Sequence, residues 1–507
     1  MTAPRIALGS VSFVGALGVL LAEAFASEVA VADQAIREQL QEILQAPQLS
    51  SAATGVHVRS VKTGRVLFDH RGHDLFNPAS NMKLLTTAAS LEVLGPSYQF
   101  RTEVRRDPVV VDGVVRGNLY VVGRGDPTLT TETLFGLVNE VALRGIREVT
   151  GDLVADDSFF DDVREGPGWE EETGDPAYAA PIGAFSVNFN TFVVRVVPGD
   201  SVGAPARALI WPDIDLIRAV VDATTRPPRT PTRLWAGTSV PRQDHIHVTI
   251  RGAIAMDRTD GVLVRRRVHN PTRHGAEMMR RLLEMRGIKI GGRIREGTAP
   301  RTSTFVVAHD SPSLGDIVGQ LNKYSNNFVA EQILKTLGAE IHDPPGSWQS
   351  GIRVVETFLR DLGFSDAQFR LKNGSGLNDT NRVSPALITE LLRMMYRRFE
   401  VRPEFVASLA VAGHSGTIEK RFGDTIAETR LRAKTGSLTG VSALSGYVAT
   451  QDDDVLAFSI MMNGYRGRAR SMWQVQDAIG VALASHGQPE ELASPHVDPS
   501  SQSTAIR

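Results

Sequence analysis

Apolar residues recur at helical spacing from Asp33 to Leu44 (Ile36, Leu40, Ile43, Leu44), which predicts a helix with one buried face. Next, Gly55-Val56-His57-Val58 and Arg65-Val66-Leu67-Phe68 alternate around Lys62-Thr63-Gly64, the pattern of a β-hairpin. Leu84, Leu85, Ala88, Ala89, Leu91, Val93 and Leu94 follow Asn77-Pro78 and Ser80, and Gly95-Pro96 stops the run. That segment is apolar on nearly every face, so it predicts a helix buried in a domain core with Ser80 at its first turn. From about Thr102 to Phe305 the texture changes to short strand-like runs among loops rich in Gly, Pro and Asp. These runs are Val109 to Val111, Leu119 to Val122, Phe192 to Val197 and Ile246 to Ile250. Helical texture returns at Ser313, where Ser313 and Asp316 have capping-box spacing and Leu314, Ile317, Val318 and Leu321 form a stripe. A second helix is predicted from Phe328 to Leu337, ending at Gly338. Later strands are predicted at Arg430 to Lys434, Ala443 to Val448 and Val455 to Met462, then a helix from about Met472 to Ala484.

The two ends thus share an α+β character, and the middle is β-rich. One domain split in sequence by a large insertion accounts for this most economically: residues 27–100 and 306–486 as its two parts, residues 101–305 as one or two inserted domains. Ser80 must then meet residues from beyond position 305. The polar, Pro/Ser-rich stretch 487–507 reads as a disordered tail. Residues 1–26 read as an export signal, with Arg5 as a minimal n-region, an apolar stretch from Ile6 to Leu21 and Ala24-Phe25-Ala26 as a small-x-small cleavage site. Ala30-Val31-Ala32 offers a second cleavage site. Export followed by cleavage places the protein in the periplasm or envelope space of a bacterium, with no stable membrane span.

Composition narrows the function classes. A chain of 507 residues is too long for one simple core, and 42% hydrophobic with 22% charged residues describes a soluble globular protein. A net charge of −2 argues against a polyanion-binding protein, and Arg265-Arg266-Arg267 and Arg280-Arg281 read as solvated faces. The absence of cysteine excludes disulfides, thiol catalysis and cysteine-ligated metals. His245-x-His247 alternates on a strand with no nearby third ligand, so no metal or cofactor is expected; no nucleic-acid module stands out either.

The candidate chemistry begins at Ser80-Asn81-Met82-Lys83. Of the eight lysines, only Lys83 has a serine three residues before it, and positions i and i+3 share a helix face. A serine hydroxyl becomes a good nucleophile when a base takes its proton, and a nearby neutral amine can do so. Two later segments fit acyl-transfer chemistry. Ser325-Asn326-Asn327 occupies a polar break between two apolar helices, where a hydroxyl and an amide can face a cleft. Lys434-Thr435-Gly436-Ser437 lies at the end of a predicted strand; its ammonium and hydroxyl suit a terminal carboxylate, and Gly436 permits close backbone approach. Lys62-Thr63-Gly64 and Ser186-Val187-Asn188 repeat two of these patterns, so the ordered set carries the signal rather than any one motif.

That ordered set is shared by β-lactamases and penicillin-binding proteins. Asn77-Pro78-Ala79-Ser80, Gly123-Arg124-Gly125-Asp126-Pro127, Ala180-Pro181, Asn373-Gly374-Ser375-Gly376-Leu377, Ala412-Gly413 and Gly416-Thr417 narrow it further. From about Asp33 to His486 the chain resembles the D-alanyl-D-alanine carboxypeptidase/endopeptidase family, the class C low-molecular-mass penicillin-binding proteins of peptidase family S13. The resemblance implies a β-lactamase/transpeptidase-like domain, an antiparallel sheet flanked by helices, interrupted after the Ser80 helix by two smaller domains. It also implies Ser80 as nucleophile, Lys83 as its base, Ser325 as proton shuttle to the leaving D-alanine and Asn327 as a substrate-positioning amide. Lys434, Thr435 and Gly436 would bind substrate through its terminal carboxylate, and the backbone N–H groups of Ser80 and Ser437 would form the oxyanion hole. The implied activity is a serine-type D-Ala-D-Ala carboxypeptidase, with DD-endopeptidase action by the same acyl chemistry. Its partners would be peptidoglycan stem peptides, with β-lactams as covalent inhibitors.

A serine β-lactamase or esterase is the rival within the same chemistry, but no glutamate is well placed to activate a deacylating water. A catalytically silent peptidoglycan-binding protein is the rival outside it, and the intact motifs argue against that. The chain departs from the family at Asn373, where Asp is usual. The Trp169-to-Asp175 segment offers Glu172 or Asp175 toward the free amine of a stem peptide, without a clear match.

Overall fold

Strands from both ends of the chain build one six-stranded antiparallel sheet in the computed structural model, which describes residues 31–172, 174–240 and 245–487. Its order is Val66–His70, Ala53–Ser60, Val455–Asn463, Val441–Ala449, Leu431–Leu438 and Ala410–Val411. The export-signal reading of 1–26 lies outside the described residues, as does the tail reading beyond Gly487.

Period-two alternation explains how this sheet is buried on both faces. Leu456, Phe458, Ile460 and Met462 point to one side, where Ile36 and Leu40 of the helix over 31–43 and Met472, Val475 and Ile479 of the helix Ala469–Ser485 cover them. Ala457 and Met461 point to the other side, into the core of the helices Met82–Val93 and Pro385–Arg397. The fold is α+β, an antiparallel sheet flanked by helices.

Residues between the Ser80 helix and position 310 form separate sheets. The entering strand Arg101–Arg106 pairs antiparallel with the leaving strand Thr304–Asp310, so the two ends of this region lie side by side. That pairing carries the leaving strand past the expected boundary at 305. Both belong to a five-stranded sheet with Leu119–Gly123, Leu153–Asp156 and Ile294–Glu296. Two three-stranded sheets lie further out in sequence, built around Thr191–Val197 and Ile246–Ala255. The region also contains the helices Thr131–Leu143 and Pro271–Met285, which its β-rich texture did not suggest.

Two expected element ends shift for identifiable reasons. The helix Asn327–His342 runs through Gly338 instead of stopping there. Gly338 has no side chain because the helix Trp348–Asp361 crosses at that point: a Cβ would come 2.8 Å from Gly351 N. Lys434 to Ser437 lie inside the strand Leu431–Leu438, not at its end, since pairing with Val441–Ala449 continues to Leu438↔Val441. Gly440, at φ +69°, closes that hairpin.

Candidate active site

Ser80 sits in the short 3-10 turn Ala79–Asn81 that leads into the helix Met82–Val93. Met82, Leu84, Leu85, Ala88 and Ala89 are fully buried, which anchors the helix; each large side chain contributes roughly 1.5–3 kcal/mol. Ala79 adopts φ +45°, a left-handed conformation unusual for a residue with a Cβ. Asn77 holds the turn: its Oδ1 accepts from Ala79 N at 2.8 Å, and it exchanges hydrogen bonds with the Asn463 side chain at 2.7 and 3.1 Å. Gly376 and Gly436 let neighbouring backbone close on this turn. A Cβ at Gly376 would overlap Ala79 O, and one at Gly436 would sit 2.7 Å from Pro78 O.

Lys83 is fully buried on the inner face of the helix. Its Nζ lies 3.0 Å from Ser80 Oγ, 2.7 Å from Asn327 Oδ1 and 2.6 Å from Ser375 O. Burial pulls its pKa from 10.5 to about 7, opposed in part by the charge of Glu331. The geometry suits a neutral amine. Asn327 Oδ1 and Ser375 O only accept, so they take two N–H bonds and leave the nitrogen lone pair facing the Ser80 hydroxyl.

Ser325 occupies the break between the helices Leu314–Tyr324 and Asn327–His342, at φ 59° and ψ 40°, while Asn326 caps the second helix through Val329 N. Its Oγ accepts from Lys434 Nζ at 2.8 Å, and Lys434 also donates to Thr435 O at 2.7 Å. Lys434 is itself buried; desolvation, then repulsion from Lys83, holds its pKa well below the ordinary lysine value. Thr435 donates to Thr417 Oγ1 at 2.7 Å, and exposed Ser437 lies further along the same strand. Ser80, Lys83, Ser325, Asn327, Lys434, Thr435, Gly436 and Ser437 therefore converge, drawn from three separate stretches of chain. Ser80, Ser325, Asn327 and Ser437 line a cleft of about 880 Å³.

The repeated motifs lie elsewhere. Lys62-Thr63-Gly64 forms the hairpin tip, and Asn188 exchanges hydrogen bonds with Thr131 at 3.0 and 2.8 Å. Of the two acids weighed near position 172, Glu172 reaches the cleft, where it accepts from Tyr178 OH at 2.7 Å. Asp175 is occupied by Thr238 N at 3.1 Å.

Glu331 and Tyr178 belong to no motif read from the sequence, and Asn373 was marked there only as a departure from the family pattern. Glu331, fully buried, accepts from Gly374 N (2.9 Å), Ser375 N (2.8 Å) and Trp348 Nε1 (2.9 Å), which fixes the carbonyl that Lys83 uses. A lone acid within an apolar helix was the available signal. Tyr178 O accepts from Asn327 Nδ2 at 3.0 Å, a link no motif predicts. Asn373 uses both ends of its amide. Nδ2 donates to Leu377 O, Thr380 Oγ1 and Pro167 O at 3.0–3.1 Å, and Oδ1 accepts from Gly376 N at 2.8 Å.

Residues 36–485 match the D-Ala-D-Ala carboxypeptidase 3 (S13) family. The chain is 36% identical over 481 residues to a D-alanyl-D-alanine carboxypeptidase of Actinomadura sp. (strain R39), spanning 90% of this chain and 86% of that protein. It is 26% identical over 419 residues to the D-alanyl-D-alanine carboxypeptidase DacB of Haemophilus influenzae, spanning 81% and 85%. The crystal structure of penicillin binding protein 4 (dacB) from Haemophilus influenzae shares the fold, with a TM-score of 0.76 at 24% identity over 87% of this chain and 97% of that one.

Proposed function

The chain belongs to the D-Ala-D-Ala carboxypeptidase 3 (S13) family, and we propose that it is a serine-type enzyme that removes the terminal D-alanine of peptidoglycan stem peptides through a Ser80 acyl-enzyme. The observation that carries this reading is the buried Lys83 amine, brought to about 7 and bonded to Ser80 Oγ. Neutral Lys83 takes the Ser80 proton as Oγ attacks the carbonyl of the penultimate D-alanine. The N–H groups of Ser80 and Ser437 receive the charge that develops on the carbonyl oxygen. Lys434, Thr435 and Thr417 hold the terminal carboxylate, and Ser325, bonded to Lys434, passes the proton taken up by Lys83 to the departing amine as the C–N bond breaks, which leaves Lys83 neutral again. Water then attacks the ester, Lys83 again serving as base, and Ser80 regains its proton. A β-lactam would acylate the same oxygen, but its opened ring stays tethered and leaves slowly.

Of the two acids that line the cleft, Asp379 is engaged by Arg382 and Asn77, and Glu172 suits the free amine of a stem peptide. Cutting between cross-linked stems would need the same acyl step with a longer leaving group, which a cleft of about 880 Å³ can admit. The N-terminal signal pattern supports action in the cell envelope, and no helix among the described residues is long and apolar enough to cross a membrane.

The decisive experiment labels the full-length protein with a fluorescent penicillin and follows muropeptides by mass spectrometry. Wild type should label and shorten pentapeptides by one alanine, and Ser80→Ala should do neither. A wild type that never labels sinks the acyl-enzyme. Rapid turnover of a chromogenic cephalosporin, with no lasting adduct, favours the β-lactamase rival.

A further inference from the structure

His57 and Asp69 stand directly opposite each other on the paired strands Ala53–Ser60 and Val66–His70, and His73 lies on the turn that follows. We infer that these three side chains form a mononuclear site for a divalent transition-metal ion of the zinc class, separate from the Ser80 cleft. One donor atom from each residue lies within 4.8 Å of the other two.

The surroundings prepare each donor. His57 is buried, with Nδ1 2.6 Å from Thr389 Oγ1. Thr389 gives its single hydroxyl hydrogen to Ala386 O at 3.1 Å, so it must accept from His57, and the ring proton sits on Nδ1. Nε2 therefore carries a free lone pair and makes no hydrogen bond among the described residues. A metal-bound histidine is oriented in the same way, by a partner on its other nitrogen. Asp69 divides its oxygens: Oδ1 accepts from Gly72 N at 2.8 Å, while Oδ2 lies 3.4 Å from His73 Nε2. Gly72 leaves the space open, since a Cβ there would come 2.9 Å from His57 Cδ2 and 2.5 Å from Asp69 Oδ1.

Bonds of about 2.0–2.2 Å around a tetrahedral ion separate neighbouring donor atoms by roughly 3.3–3.6 Å. Asp69 and His73 already have that spacing. The remaining closure toward His57 falls on the side chains of His73 and Asp69, which are 72% and 37% exposed. Two imidazoles and one carboxylate select zinc-like ions over magnesium or calcium, and a fourth position stays open to water. Ala386 N donates to Gly72 O at 2.8 Å, tying the turn to the helix Pro385–Arg397. A bound ion would therefore clasp the segment that leads through Asn77 to Ser80.

The test uses full-length protein freed of metal by a chelator and titrated with Zn2+ against a zinc-responsive dye, with Co2+ absorption as a second readout. Wild type should take up one ion per chain and give the visible bands of tetrahedral cobalt, undisturbed by millimolar Mg2+. His73→Ala and Asp69→Asn change exposed side chains and should keep penicillin labelling, yet weaken Zn2+ binding by about tenfold or more and abolish the cobalt bands. Stoichiometric binding that is unchanged in both variants overturns the site. So does a wild type that takes up no ion at micromolar Zn2+.

Discussion

On the proposed acylation route, the protonation state of Lys83 sets the pH profile. An ordinary lysine at 10.5 is neutral about once in three thousand molecules at pH 7, which would add about 5 kcal/mol to a step that needs the free amine. Burial brings Lys83 to about 7, so half the molecules carry the base at neutral pH. Deprotonation activates, so acylation should rise with pH: roughly tenfold per unit below 7, about tenfold in total between pH 6 and pH 8, then level. The assay is single-turnover acylation of full-length protein by a penicillin with no titrating group in that range, read as the second-order rate constant. Glu331→Gln supplies a second arm. The Glu331 charge is the influence that raises Lys83, so its removal should move the rising limb to lower pH. The same variant should lower the plateau, because Gly374 N and Ser375 N lose a charged acceptor. A profile flat from pH 5.5 to 8.5, or one whose only inflection lies near 10.5, refutes Lys83 as the neutral base.

Ser80→Ala should abolish labelling and leave the stability measured in urea within about 1 kcal/mol of wild type, since Ser80 is half-buried and, among the described residues, its hydroxyl bonds Lys83 Nζ alone. Asn327→Ala removes an acceptor from Lys83 and a donor to Tyr178 O; acylation should fall about a hundredfold with little change in the far-UV spectrum. Asn373→Asp deletes the donors to Leu377 O, Thr380 Oγ1 and Pro167 O, so urea denaturation should show a loss of about 1–3 kcal/mol. Gly376→Ala places a methyl at φ +77° against Ala79 O, costing roughly 1–3 kcal/mol and slowing acylation by moving the Ser80 turn.

Much of this was legible because local pattern and global role agree. The alternation of Val455 to Met462 and the apolar run after Ser80 each announce an element that the core uses, and the fold follows from their order. The convergence of Ser80, Lys83, Ser325, Asn327 and Lys434 was legible because the proposed chemistry needs fixed residue types in a fixed order. What stayed hidden depends on contacts made across long sequence separations. Gly338 looks like a helix stop from its own neighbours, and only the crossing helix at Gly351 shows that it is a point of close packing. Glu331 looks like a surface acid until the 374–375 backbone closes over it. His57 and Asp69 are twelve positions apart with no ligand-like spacing, and strand register alone sets them opposite.

The helix Asn327–His342 explains why the large middle region matters to the Ser80 cleft. Asn327, Glu331 and Lys335 recur every fourth residue and so share one helix face. Asn327 bonds Lys83 and, through its other amide end, Tyr178 O in the inserted stretch. Glu331 holds the backbone whose Ser375 carbonyl completes the Lys83 shell. Lys335, fully buried, reaches Asp161 at 2.6 Å and Val163 O at 2.9 Å, both again in the inserted stretch. Lys335 is fully buried while Asp161 is 26% exposed, so removing Asp161 leaves a buried ammonium without its carboxylate, and the pair pins the helix in one position. The insertion is therefore coupled to the Lys83 amine through this helix, alongside the Asn373 bond to Pro167 O. Changes around Asp161 should therefore be felt at Ser80 through the position of this helix.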